Sequence, residues 1–263
     1  MEMTAKAALV VDNVTKEYEM ARSGTRIAAL EGLSFTVREG EFFVVLGPSG
    51  SGKTTLLNLI AGFELPTKGT LTVNGAPIEQ PGWQRAVVFQ EHGLFPWLTA
   101  AENIEFGLRM KKLPKGERRD LVSKYIEIVG LKGSEDKYPK ELSGGMKQRI
   151  GIARALVVDS DIVIMDEPLG SLDAQTRTEM QDELLRILHK EKKKTVLFVT
   201  HSIEEALKLA DSIVVMSERP GRVKELFRVD SPRPRDVLTD PRMIDLNVKL
   251  HALLYRSQTP KAS

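Results

Sequence analysis

Gly47-Pro48-Ser49-Gly50-Ser51-Gly52-Lys53-Thr54 is the stretch on which the reading of the whole chain turns. It fits the pattern G-x-x-x-x-G-K-[ST], with an apolar run from Glu41 to Leu46 before it and a helical pattern starting near Lys53. The glycines let the backbone curl until successive N–H groups point into one anion-sized hollow. The helix N-terminus behind them adds partial positive charge. In such a loop Lys53 reaches the β- and γ-phosphates of a nucleotide, and the Thr54 hydroxyl ligates magnesium. The eight residues, with Thr55 after them, are the candidate phosphate contacts.

Outward from this loop, short β-branched runs alternate with helical patterns, which predicts an α/β fold with a largely parallel sheet. The first part differs. Ala8 to Val11 and Leu30 to Val37 read as strands flanking a polar loop, Glu19 to Thr25, and predict an antiparallel β region. Between about Thr99 and Leu142 the strand signal gives way to helical spacing at Glu102 to Phe106 and Arg119 to Val129, broken by Pro114 and Pro139. We read an inserted helical subdomain, about 99–157. Strands resume at Asp161 to Asp166 and Thr195 to Thr200. The helix between them carries Met180, Leu184 and Leu188 on one face, with Asp173 as N-cap. Pro-Gly and Pro-Arg-Pro-Arg interruptions from Pro220 onward predict the end of the compact domain, with a last helix near Met243 to Tyr255. The expected organisation is a catalytic domain at 1–230 and a short C-terminal extension at 231–263.

Composition narrows the function classes. Lys and Arg total 38 against 36 acidic residues, a formal charge of +2, which argues against a large nucleic-acid footprint. There is no cysteine, so disulfides and thiolate metal sites are excluded. No apolar run reaches the roughly eighteen residues of a membrane helix. The start, Met1 to Lys6, has no secretory pattern. The expectation is a soluble chain that meets a membrane only from outside the bilayer.

Two further elements carry chemistry. Asp166 ends the apolar strand Ile162-Val163-Ile164-Met165, where it can hold magnesium through water, and Glu167 follows as general base for a water attacking the γ-phosphate. Leu142-Ser143-Gly144-Gly145-Met146-Lys147-Gln148-Arg149 opens a helix running through Ala155. Ser143 and the glycines read either as an ordinary N-cap and turn, or as a second anion-competent helix N-terminus.

That octet resembles the signature motif of the ATP-binding cassette (ABC) family, and the resemblance covers nearly the whole chain. It implies a P-loop ATPase core using ATP and Mg2+, with further roles at matching positions. Tyr18 resembles the aromatic residue that stacks on adenine; by itself it reads as packing. Gln90, in Val87-Val88-Phe89-Gln90, resembles the glutamine that touches magnesium; by itself it reads as a surface amide. Gly170-Ser171-Leu172-Asp173 resembles the loop that crosses a dimer interface. His201 resembles the histidine that senses the γ-phosphate; after a strand, a lone histidine otherwise reads as structural. The implied assembly is a head-to-tail dimer closed by ATP, in which Ser143, Gly144 and Gly145 of one copy complete the site made by Lys53, Gln90 and His201 of the other.

The resemblance also implies a task. A DNA-repair or chromosome ATPase of this family needs a long coiled-coil insertion, and residues 55–142 carry no sustained heptads. A ribosome-acting ABC protein carries two cassettes, and an exporter fuses its cassette to membrane helices. The expected role is the ATPase subunit of an importer, on the cytoplasmic face of the membrane, working with a separate permease and, indirectly, an extracytoplasmic solute-binding protein. Val88 to Thr99, Thr200 to Ala206, Ser217 to Arg222 and Pro232 to Asp236 resemble the nitrate, sulfonate and taurine importer subgroup. Cassettes for polar amino acids or phosphonates are the nearest rivals. Phe95, Pro96 and Trp97 are expected near the groove that receives a permease helix; the alternative is that Phe95 and Trp97 are core. Residues 230–263 are too few for a regulatory β-domain.

Overall fold

The computed structural model describes residues 6–20, 24–90, 93–190 and 194–255, and the side chains at 189 and 190 fall outside that description. In chain order the strands are β1 (Ala7–Glu19), β2 (Arg26–Arg38), β3 (Phe42–Leu46), β4 (Lys68–Val73), β5 (Ala76–Pro77), β6 (Arg85–Val88), β7 (Ile162–Asp166), β8 (Thr195–Thr200), β9 (Ser212–Met216) and β10 (Val223–Arg228). The α-helices are α1 (Lys53–Ala61), α2 (Ala100–Met110), α3 (Lys115–Ile128), α4 (Gly144–Leu156), α5 (Ala174–Lys190), α6 (Ile203–Leu209) and α7 (Pro241–Tyr255). They fall into two compact units: Met1–Pro81 with Thr195–Ser263, and Gly82–Lys194.

The first unit holds two sheets. One is antiparallel, ordered β2-β1-β4-β5. On β2 the residues Leu33, Phe35 and Val37 are buried while Ser34, Thr36 and Arg38 are exposed, the alternation of a strand with one face on the core. β1 and β2 run longer than their apolar cores predict, to Glu19 and from Arg26. Register shifts after Val11 and Val14 break the alternation on β1, which hid its second half from a period-two reading. The other strands of this unit run β10-β9-β3-β8, with β3 parallel to both β8 and β9. Every residue of β3, β8 and β9 is buried, as expected of parallel strands covered on both faces. Phe35 stacks on Phe43 at 5.2 Å between ring centroids and ties the antiparallel sheet to β3.

Pro220 and Gly221 do not end the compact structure. They form the turn of a hairpin, and β10 pairs antiparallel with β9 beyond it. The Ser217 hydroxyl holds the turn, donating toward the Glu218 and Pro220 carbonyls and accepting from the Arg222 N–H. The Pro-Arg-Pro-Arg segment is tied down as well. Arg235 donates to the Leu207, Lys208 and Ala210 carbonyls at the end of α6, and to Ser231 and Val229. Burial, with the Arg233 charge second, pushes its guanidinium down to about 10. α7 then buries Met243, Leu246, Leu250 and Leu254, one stripe at helical spacing, and packs on α6 and β9.

In the second unit β6 and β7 pair in parallel, Val88 opposite Met165. α2, α3 and α4 pack on one another. Thr99 and Glu102 form a capping box that starts α2. Asp173 caps α5, accepting from the Thr176 N–H at 3.0 Å, and Met180, Leu184 and Leu188 are buried on that helix as their spacing predicts.

Candidate nucleotide-binding site

The phosphate loop lies in the first unit at the carboxyl ends of three parallel strands. Leu46, the last residue of β3, stands opposite Thr200 on β8 and Val215 on β9, and the Gly47 N–H donates to the Thr200 carbonyl at 3.3 Å. A side chain on Gly47 would begin 2.8 Å from Ser51 Oγ and 3.1 Å from Met216 Cβ. Gly50 and Gly52 take φ of 80° and 85°, the left-handed geometry the curl requires. α1 begins on Gly52 with no capping side chain and no acid in its first turn, so no carboxylate competes with an anion for the positive end of its dipole. Lys53 is buried and its ammonium donates to the Gly47 and Pro48 carbonyls, both at 2.9 Å. Ser51 Oγ is buried with no hydrogen-bond partner. Curled amides, an uncapped helix start, a captive lysine and an orphaned hydroxyl together fit a phosphate chain.

His201 follows β8 directly and is exposed beside that loop. The turn presenting it is held from below. Thr200 Oγ1 accepts from the Ser202 N–H at 3.0 Å and donates to the buried Glu205, while the Ser202 hydroxyl caps α6 at the Glu205 N–H. Tyr18 is half-buried near the end of β1, its phenol donating to Glu64 at 2.8 Å. Burial, then the Glu64 carboxylate, raises the phenol above its ordinary value.

The hairpin Ser217–Arg222 buttresses the loop. Gly221 exchanges backbone hydrogen bonds with Ala29 and Glu31, each 2.9 Å, and a side chain on it would begin 2.2 Å from the Ser51 carbonyl. Its function is close approach. Sequence reading marked this stretch as a subgroup resemblance and a break in the chain, since what makes Gly221 necessary is its contact with Ser51, far away in the sequence.

The second unit gathers the other predicted residues at its own strand ends. Gln90 lies two residues past Val88 at the end of β6, and Glu167 two past its partner Met165 on β7. A side chain on Gly170 would begin 3.3 Å from the Glu167 carbonyl and 3.6 Å from Gln90 Nε2, so amide and acid share one corner. Asp166 and Glu167 are half-buried. Glu167 adopts φ of 42°, a left-handed strain that a non-glycine residue holds only where its surroundings enforce it. Among the described residues no three His, Cys, Asp or Glu side chains cluster as a metal site.

Ser143 caps α4, its hydroxyl accepting from the Met146 N–H at 3.3 Å, and Ser143 and Gly144 are exposed. Side chains on Gly144 and Gly145 would begin 3.6 Å from Leu172 and 3.3 Å from Thr176, so this turn abuts the Gly170–Asp173 loop.

Asn103, missed by sequence reading, organises the segment before α2. It is fully buried; its amide donates to the Phe95, Leu98 and Thr99 carbonyls and its oxygen accepts from the Phe95 N–H at 2.9 Å. Phe95 packs on Phe106 at 4.5 Å under the Arg154 guanidinium, whereas Trp97 is 70% exposed, so the core reading fails for the tryptophan. Glu91 and His92 of this stretch lie outside the described residues.

A curled glycine loop between a buried parallel strand and a helix, with paired acids at the end of another parallel strand, defines a P-loop NTPase. Residues 30–170 match the family described as ABC transporter. The chain is 44% identical to the taurine import ATP-binding protein TauB of Chromobacterium violaceum over 263 residues, covering 97% of this chain and 99% of that one. It is 43% identical to the bicarbonate transport ATP-binding protein CmpD of Synechococcus elongatus over 244 residues, 90% and 87% of the two chains. Among solved structures it resembles, with a TM-score of 0.73 and 32% identity, a dimeric ATP-binding cassette in a post-hydrolysis state bound to ADP and Pi, covering 85% of this chain and all of that one. This chain belongs to the ABC transporter family, as an ATPase cassette of the ATP-binding subunit kind. Among the described residues no helix is long and apolar enough to cross a membrane.

Proposed function

We propose that this chain energises the uptake of a small anionic or zwitterionic solute, of the nitrate, sulfonate, taurine or bicarbonate type, through a separate permease at the cytoplasmic face of the membrane. The observation that carries the proposal is the end-to-end match to an import subunit, 97% of this chain against 99% of the taurine relative. In this reading residues 1–230 form the catalytic domain and 231–263 a short extension.

The proposed division of labour follows the chemistry of each residue. Residues Gly47 to Thr55 receive the phosphates of ATP, with Lys53 neutralising their charge, and Tyr18 meets the adenine. Magnesium, held by Thr54, Gln90 and Asp166 together with the phosphates, would offset the charge that develops as the γ-phosphate leaves. Glu167 takes a proton from the attacking water, and His201 senses the γ-phosphate. Ser143, Gly144 and Gly145 of a second copy, joined head to tail, close the site, so loss of the γ-phosphate removes a shared contact and loosens the pair. The exposed Trp97, on the segment clamped by Asn103, would face the permease.

Affinity purification of the chain from gently solubilised native membranes tests the role. The expected result is a multi-span permease recovered in stoichiometric amount. Recovery of ribosomal or DNA-associated proteins alone would leave the ATPase chemistry standing and overturn the importer.

A further inference from the structure

The end of β1 carries a side-chain cluster that the hydrolytic machinery does not use. The Glu64 carboxylate accepts from the Tyr18 phenol at 2.8 Å and lies 3.0 Å from the Lys16 ammonium on the same oxygen, while its other oxygen accepts from Asn58 Nδ2 at 3.3 Å. Lys16 also donates to the Leu65 carbonyl at 2.9 Å and stands 5.1 Å from the centroid of the Tyr18 ring.

Glu64 is not on a loose loop. α1 stops at Ala61; Gly62 takes the left-handed cap conformation, and the Phe63 and Glu64 N–H groups fold back onto the Asn58 carbonyl at 2.9 and 3.4 Å. The helix that presents its N-terminus to phosphates therefore also fixes, from its other end, the carboxylate that grips Tyr18. Burial works to raise the Glu64 carboxyl, but the hydrogen bonds from Tyr18, Lys16 and Asn58 outweigh it and hold it below the usual range, so it stays an acceptor.

We propose that Glu64 is the positioning residue for Tyr18: with Lys16 it locks the ring in the orientation that receives the adenine base. This rests on the reading of Tyr18 as the base-stacking residue. Lys16 stands over one face of the ring, so in this reading the base stacks on the other. Locking matters because a free aromatic side chain must surrender its rotamer freedom on binding, and a ring held beforehand does not.

The test is calorimetric titration of the full chain with MgADP, which avoids turnover, and with magnesium pyrophosphate, which lacks the base. Glu64→Ala and Tyr18→Phe each remove one side of the phenol–carboxylate bond. Each is expected to weaken MgADP by about 3- to 10-fold, the range for freezing one free side chain, with pyrophosphate unchanged. Glu64→Gln, which keeps an acceptor for the phenol, is expected to recover most of the affinity, and Glu64→Ala is expected to add nothing once Tyr18→Ala is present. If Tyr18→Ala leaves MgADP unchanged, the stacking reading falls and takes this one with it. If Tyr18→Ala weakens binding while Glu64→Ala and Tyr18→Phe do not, only the positioning role falls. Equal loss of MgADP and pyrophosphate in Glu64→Ala would show a general effect on the fold and overturn it as well.

Discussion

Glu167 holds a left-handed backbone, φ 42°, at the point where β7 gives way to a turn, and the Gly170 N–H closes that turn on its carbonyl at 3.0 Å. Strain of this kind costs about 1–3 kcal/mol and survives where the surroundings over-determine it. Replacing the acid by its amide keeps size and backbone but removes the base. Glu167→Gln is therefore expected to lower kcat by about 10²–10⁴-fold while leaving the Kd for MgATP within twofold; steady-state turnover and equilibrium binding on the same preparation check it. Fast hydrolysis in that variant would remove Glu167 from the mechanism. Gly221 is the opposite case, a residue whose value lies in what it lacks. Gly221→Ala drives a methyl into the Ser51 carbonyl, and overpacking of this kind costs about 1–3 kcal/mol. A lowered urea midpoint together with weaker magnesium pyrophosphate binding is expected, because the displaced residue belongs to the phosphate loop. Lys53 and Glu167 were nominated from the sequence, since their neighbours in the chain suggest a chemistry for them. Gly221, Glu64 and Asn103 were not, because each is defined by contacts that only the folded chain creates.

At the scale of elements, β3, β7 and β8 were legible as short runs dominated by apolar and β-branched residues, and α5 through its cap Asp173 and the stripe Met180, Leu184 and Leu188. What escaped was structure that local chemistry disguises. β1 loses its alternation where its register shifts, and Pro220-Gly221 reads as a break until β10 is seen returning along β9. α6 shows why the Pro-Arg-Pro-Arg segment matters. It is a helix of 7 residues with Lys208 as the basic residue of its last turn, and Arg235 caps three carbonyls at that end. A cation in a partly buried site at a helix C-terminus contributes up to about 2 kcal/mol. Arg235→Ala is expected to destabilise the chain by about 1–2 kcal/mol, read as a shift of the urea midpoint at unchanged slope. Because α6 follows His201 directly, a fall in the ATPase rate beyond the unfolded fraction is expected too. A midpoint equal to that of the parent would mean the proline-rich segment merely rests on the surface.

For the whole molecule the predicted residues divide between two compact units. Phosphate loop, Tyr18 and His201 lie in one; Gln90, Asp166, Glu167 and the Ser143 turn lie in the other. The order of motifs along the chain revealed the cassette, but the return of residues 195–255 to the first unit depends on long-range pairing such as β3 with β8, which no local pattern encodes. Ser143 tests the proposed assembly. In the single chain its hydroxyl spends one lone pair on the Met146 N–H, and with Gly144 it faces outward. If a second copy supplies this turn to a γ-phosphate, a bulky side chain there should stop pairing without touching the chain's own phosphate loop. Ser143→Arg also forfeits an N-cap worth about 1 kcal/mol, so Ser143→Ala serves as the control that loses the cap but adds no bulk. In a Glu167→Gln background, where slow turnover is expected to preserve ATP, light scattering is expected to show an ATP-dependent dimer for the parent. The Ser143→Arg variant should stay a monomer at every ATP concentration, with its MgADP affinity unchanged. Ser143→Ala should lie between them, dimerising at higher ATP. A dimer in Ser143→Arg as stable as the parent's would place the pairing surface elsewhere and end the shared-site account; a monomeric parent would end it sooner.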